Sequence, residues 1–149
     1  MIYVFYFFLW TFVLYWIHRA THKIKFVNRY HSKHHSFINK NIRLGNQNKW
    51  HWNNLFLFND DLESTIDLWI TEVIPTLIFS LVTGHWWISV FYYVWAAFIQ
   101  ESVEHNLNID YPLLLNGKRH LIHHELPNKN FGLFFPIWDQ LFKTYQKWG

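Results

Sequence analysis

The sequence contains no cysteine among its 149 residues, which excludes disulfides, thiolate zinc sites and thiol nucleophiles. It is also poor in charge. Asp, Glu, Lys and Arg make up 15% of the chain, against roughly 25% in ordinary soluble domains. No charged residue occurs in residues 1–17, none occurs from Val73 to Ile99, and no Lys or Arg lies between residues 50 and 117. There is no Gly-x-Gly-x-x-Gly run to hold a flavin or nicotinamide dinucleotide. There is no His-Glu-x-x-His either, so a zinc hydrolase of that type is set aside.

Aromatic residues are abundant, at 22% of the chain. The mean hydropathy of −0.07 understates the apolar character, because its scale scores Trp and Tyr as mildly polar and His as strongly polar. The net charge is +3, yet eight of the thirteen Lys and Arg lie between Arg19 and Lys49. A basic segment directly after an apolar one is what the positive-inside rule places on a cytosolic flank. Anionic headgroups are therefore the expected neighbours, and no nucleic acid.

Residues 1–17 sit at the short edge of the roughly 17–25 residues that cross a bilayer, so the helix is expected to continue through His22. A signal peptide is set aside, since no basic stretch precedes the apolar run, no small-x-small cleavage site ends it, and Lys and Arg follow. The uncharged run after Val73 is too long for one crossing. Thr83-Gly84-His85 splits it into a hairpin of helices over about 65–83 and 86–104, with Pro75 kinking the first. The expected fold is an all-α integral-membrane bundle of about three transmembrane helices with a cytosolic helical cap. The hairpin then leaves the cytosol near residue 64 and returns near Glu104, so His105 rejoins the face of His18–His35. Trp50-His51-Trp52 reads as an interfacial anchor. Pro112 and Asn116-Gly117 mark a loop, a helix over 118–126 stops at Pro127, and 128–132 is a turn. Pro136 opens a last helix at its first position, with an apolar stripe of Phe134, Trp138, Leu141, Phe142 and Tyr145.

Of the eleven histidines, nine fall in the two windows 18–35 and 105–124. His18 and His22 are four apart; His31, His34 and His35 repeat as His120, His123 and His124, with His105 upstream. On helices each set lies on one face. Neutral imidazole is the commonest protein metal ligand. One zinc takes three or four ligands, so nine exceed a single ion, whereas two ions with about five ligands each match the count. His51 and His85 are read as packing and turn residues. A catalytically silent metal-binding membrane protein is the alternative to an enzyme.

The chain resembles the fatty acid hydroxylase/sterol desaturase superfamily of membrane di-iron oxygenases, and within it the sterol C5-desaturase-type branch. The resemblance rests on Trp16-Ile17-His18-Arg19-x-x-His22, His31-x-x-His34-His35, His105, Asn116-Gly117 and His120-x-x-His123-His124. It continues through Asn130-Phe131-Gly132 and Trp138-Asp139-x-Leu141-Phe142. It implies one membrane domain over 1–149, two non-haem Fe ions with zinc as a substitute, and O2 as co-substrate. It further implies a lipid substrate from the bilayer, hydroxylated or desaturated, and an external cytochrome b5-like or ferredoxin-like electron donor. The location would be the endoplasmic reticulum in a eukaryote or the inner membrane in a bacterium, with the metal site on the cytosolic side. The sequence departs from the pattern at Glu101, where the family has a histidine paired with His105. Either Glu101 is a tenth ligand or it is a supporting or solvated acid. Phe142-Lys143-Thr144 and Asn106 also depart from the family's usual residues. Ligating histidines pass their other N–H to an acceptor, for which Asn130, Asp139, Glu104 and Glu125 are candidates, with Arg19 paired to one of the acids. The other reading makes Asn130 a helix cap and Glu125 a surface charge.

Overall fold

The computed structural model describes residues 1–43, 50–59, 61–111, 113–114 and 117–147. Among these residues the fold is entirely helical. Helix α1 is Ile2–Thr21 and α2 is Lys25–Arg43. A 3-10 turn, Trp52–Phe56, leads to α3, Leu62–Thr83. Helix α4 spans 87–103, α5 is Lys118–Glu125 and α6 is Ile137–Leu141.

Two of these, α1 and α3, are long and apolar enough to cross a membrane, against the three crossings expected. The first turns of α1 are exposed, while Trp10, Leu14 and Tyr15 are fully buried. Uncharged side chains all round the helix as far as Ile17 suit a span that faces lipid at one end and protein at the other. Trp10 donates from its indole to Thr76 of α3 at 3.0 Å, and Trp138 of α6 donates to Thr11 at 3.1 Å. These bonds give the buried Trp10 indole and the half-buried Trp138 indole a polar partner.

Asp61 starts α3 by accepting the Ser64 N–H at 2.8 Å, a cap of the usual kind. Gly84 closes it in the left-handed region at φ 71°, where a side chain would be strained, and the chain turns back into α4. Ser89 donates to Ser80 at 2.7 Å across the hairpin. Both arms contain a π-turn, Trp69–Val73 in α3 and Ala96–Gln100 in α4. The first lies just ahead of Pro75. The widened turn accommodates the N–H that proline lacks and the carbonyl its ring would strike.

The core joins Trp10 and Leu14 of α1 to Leu68, Val73 and Phe79 of α3, to Ile88, Tyr92 and Ala96 of α4, and to Leu133 and Phe134. Trp50 donates to the carbonyl of Ala97 at 2.7 Å, inside the α4 π-turn, while Trp52 is 74% exposed. Gly117 stands at φ 59° against the Ile109 carbonyl, which a Cβ there would overlap, so the position needs glycine. Pro112 and Asn116, the other loop markers, lie outside the described residues.

The C-terminal stripe does not form as expected. Pro136 precedes α6 rather than opening it, and the helix ends at Leu141 because Lys143 takes φ 59°. The N–H groups of Thr144 and Tyr145 both turn back to the Asp139 carbonyl, at 2.8 and 3.1 Å. Phe134 is buried but Leu141 is 64% exposed, so the stripe is not a single face.

Candidate metal centre

Four elements meet at one end of the bundle. The C-terminal end of α1 carries His18, with His22 directly beyond it. Helix α2 carries His31, His34 and His35, the end of α4 leads into Glu104 and His105, and α5 carries His120, His123 and His124. The two windows, far apart in sequence, converge. The potential ligand atoms of His18, His22, His31, His35 and His123 lie within 4.8 Å of one another. So do those of His34, His105 and His124, and those of Glu104, His105 and His120. The last two sets share His105 and make up a second group, and the rings of His35 and His124, stacked at 4.2 Å, connect it to the first.

The first group is organised around His31. Its Nε2 lies 3.1 Å from Nε2 of His18 and 3.0 Å from those of His22 and His35. His22 Nε2 in turn lies 3.1 Å from His123 Nε2. In the second group His124 Nε2 is 3.1 Å from both His105 Nε2 and His120 Nε2.

The tautomers decide which of these contacts can be hydrogen bonds. His18 Nδ1 is 2.8 Å from the Phe131 carbonyl and His123 Nδ1 is 2.7 Å from the Lys129 carbonyl. A carbonyl only accepts, so in both rings Nδ1 carries the proton and Nε2 of the neutral ring is a bare lone pair. His31 Nδ1 lies 2.9 Å from Asp67 and donates to it when that carboxylate is ionised. The 3.1 Å contact between Nε2 of His18 and Nε2 of His31 therefore has no proton to share, and a cation between such lone pairs would satisfy them. Two nitrogens bonded to one ion at about 2.0–2.1 Å, and about 90–110° apart, stand about 3 Å from each other. The residues fit a metal on donor chemistry and on spacing.

Protons are poor substitutes for that cation. Burial, reinforced by repulsion from neighbouring imidazoles, holds His31, His35, His105, His120, His123 and His124 well below the ordinary histidine range. Burial lowers His22 and His34 to about 4.

A model of the fatty acid hydroxylase family matches residues 3–144. The chain belongs to that family. A relative within the wider superfamily is the Delta(7)-sterol 5(6)-desaturase erg3B of Aspergillus fumigatus, 25% identical over 140 residues. That match covers 91% of this chain but only 36% of the relative. No solved structure matches.

Within this family member, the groups that hold the rings differ in part from those expected. Asp67 on α3 and Ser64, 3.3 Å from His34 Nδ1, face the α2 histidines. Neither stood out as a candidate, although a carboxylate inside an apolar helix is itself a functional signal. Asp139 touches no ring. It accepts the N–H groups of Phe131 and Gly132 at 2.8 Å each and the Thr144 hydroxyl at 2.6 Å, fixing the loop whose carbonyl holds His18.

Asn130, at φ 52°, donates to the carbonyls of Arg119 and Gln146 at 3.0 Å each, so it pins the same loop and caps no helix. Arg19 donates to Tyr15 at 3.1 Å and lies over the Trp16 and Phe131 rings. Glu125 is exposed. Glu104 is buried, its Oε1 3.7 Å from His120 Nε2. Glu101 lines the cavity beside the histidines but belongs to none of the groups of converging ligand atoms. His85 lies apart, stacked on Tyr6 at 3.8 Å, and His51 is exposed.

Proposed function

We propose that this protein is a membrane-bound, O2-dependent di-iron oxidoreductase that hydroxylates or desaturates a lipid. The observation that carries the reading is the set of inward Nε2 lone pairs, fixed by Nδ1–H bonds to carbonyls and to Asp67. One ion is assigned to His18, His22, His31, His35 and His123, the other to His34, His105, His120 and His124. Helices α1, α3 and α4 are taken as three crossings, with the centre beneath the cytosolic leaflet. Bound there, a pair of iron ions supplies the reductive activation of O2 that an unactivated C–H bond demands.

The chain's own part is geometric. Phe131, Lys129, Asp67 and Ser64 hold the imidazoles in register. Leu68, Ala96 and Leu133 are the apolar side chains of the adjacent cavity, whose lining is otherwise polar. Electrons come from an external cytochrome b5-like or ferredoxin-like donor, and the Lys and Arg of α2 offer an acidic donor a basic face. Zinc is expected to replace iron in overproduced protein.

One observation favours the second reading, a catalytically silent metal-binding membrane protein. The cavity beside the histidines holds about 40 Å³, room for water or O2, whereas ligand pockets commonly run to about 300–1,000 Å³. A lipid chain therefore has to enter from the bilayer between helices. The test is mass spectrometry of host lipids with and without the protein, alongside O2 uptake by the iron-loaded form. Lipid-dependent uptake with a hydroxylated or desaturated product supports the enzyme. Bound ions with neither uptake nor product assign the silent binder.

A further inference from the structure

The second group of ligand atoms is one imidazole short of the first, and a carboxylate stands in the gap. We infer that Glu104 is a direct ligand of the second ion, and that Gln100 and Glu72 hold its carboxylate in place. The inference rests on the metal-centre reading above and goes beyond it by giving the two ions unlike ligand sets.

Three observations carry it. Glu104 offers an oxygen within the same 4.8 Å group as His105 and His120. Glu104 is also only 8% exposed, and a carboxylate this deep needs a cation or several donors. Finally, its two oxygens are used differently. Oε2 accepts from the Gln100 amide at 2.9 Å, while Oε1 points to His120 Nε2 at 3.7 Å, towards the converging nitrogens.

Gln100 is itself fixed. Its amide also reaches both oxygens of Glu72 at 3.3 Å, and Glu72 accepts from Tyr92 at 3.1 Å. Glu72 and Gln100 both lie in the two π-turns, features that recur at functional sites because they redirect side chains from the regular helical face. Helix α4 ends at Val103, so Glu104 and His105 sit together at its end. The second ion then has four imidazoles and one anionic carboxylate, and the first has five neutral imidazoles. Oxygen ligation favours a harder cation, so the two sites differ in affinity.

The experiment counts ions. Wild type, Glu104→Gln, Glu104→Asp and Glu101→Gln are purified in detergent and checked for helix content by circular dichroism. Each is loaded anaerobically with Fe(II) or Co(II), desalted and analysed for metal per chain, with the Co(II) visible spectrum as a second readout. The expected result is two ions in wild type and in Glu101→Gln, and one in Glu104→Gln with half of the Co(II) absorption lost. Two ions in Glu104→Gln at unchanged affinity, or one in Glu101→Gln, would overturn the inference. Should Glu104→Gln fail to fold, Glu104→Asp decides: at least tenfold weaker binding of one ion supports the inference and unchanged binding of both refutes it. A folded wild type that takes up no ion overturns the metal-centre reading itself.

Discussion

The Asp67–His31 bond gives the sharpest single perturbation. His31 Nε2 lies within 3.1 Å of three other imidazole nitrogens, so the orientation of this one ring sets the geometry of the site proposed for the first ion. Asp67 fixes it through one bond of 2.9 Å between buried groups. A hydrogen bond to a charged group is worth about 1.5–3 kcal/mol and a neutral one about 0.5–1.5 kcal/mol. Asp67→Asn keeps an acceptor but loses the charge, a difference of about 1–1.5 kcal/mol, or about tenfold in affinity. Asp67→Ala leaves the His31 N–H without an acceptor, and the total rises to about 3 kcal/mol, or about a hundredfold. Both figures agree with the roughly 10–100-fold losses seen when the acceptor behind a metal-bound histidine is removed. The assay is competition between protein and a chelator of known affinity, followed ion by ion. Only the first ion should weaken, because Asp67 bonds to no histidine of the second group. Unchanged affinity in both variants, or equal weakening of both ions, would refute the reasoning.

Two further outcomes are expected. Asp139→Ala strips acceptors from two buried backbone N–H groups and the Thr144 hydroxyl; at about 1–3 kcal/mol for each of the three orphaned donors, the loss is about 3–9 kcal/mol. Thermal melting in detergent checks this, and a change below 1 kcal/mol contradicts it. The metal-free chain should lose stability on acidification. Folding lowers His22 and His34 from 6.5 to about 4, so below about pH 6.5 the unfolded chain binds protons that the folded chain does not. This stability is fully present above pH 6.5 and falls away towards pH 4. Melting curves of the metal-free protein at pH 7.5, 6 and 5 should show a falling midpoint, and a flat profile contradicts the assignment.

The convergence of the nine histidines was legible in the sequence because i, i+3 and i+4 spacing puts side chains on shared helical faces. The α3–α4 hairpin was legible because an uncharged run broken at Gly84 has one economical reading. The groups behind the histidines were harder to see. Asp67 and Glu72 matter only through the faces α3 turns to α2 and α4, and Gln100 through the face α4 turns to α3, and two π-turns displace those faces from the regular period. Glu101 looked better placed than Glu104 because it is four residues from His105. That spacing favours a shared face on an uninterrupted helix, but here the helix ends between them. The C-terminal stripe misled for a related reason: the backbone bonds around Asp139 outweigh the helical period beyond Leu141.

The most direct test of the account is metal analysis of the folded wild-type chain joined to iron K-edge X-ray absorption. The prediction is two ions per chain, each with about five nitrogen or oxygen neighbours near 2.0–2.2 Å and the outer-shell scattering of imidazole rings. A folded chain that binds no ion, or binds ions without imidazole scattering, contradicts it.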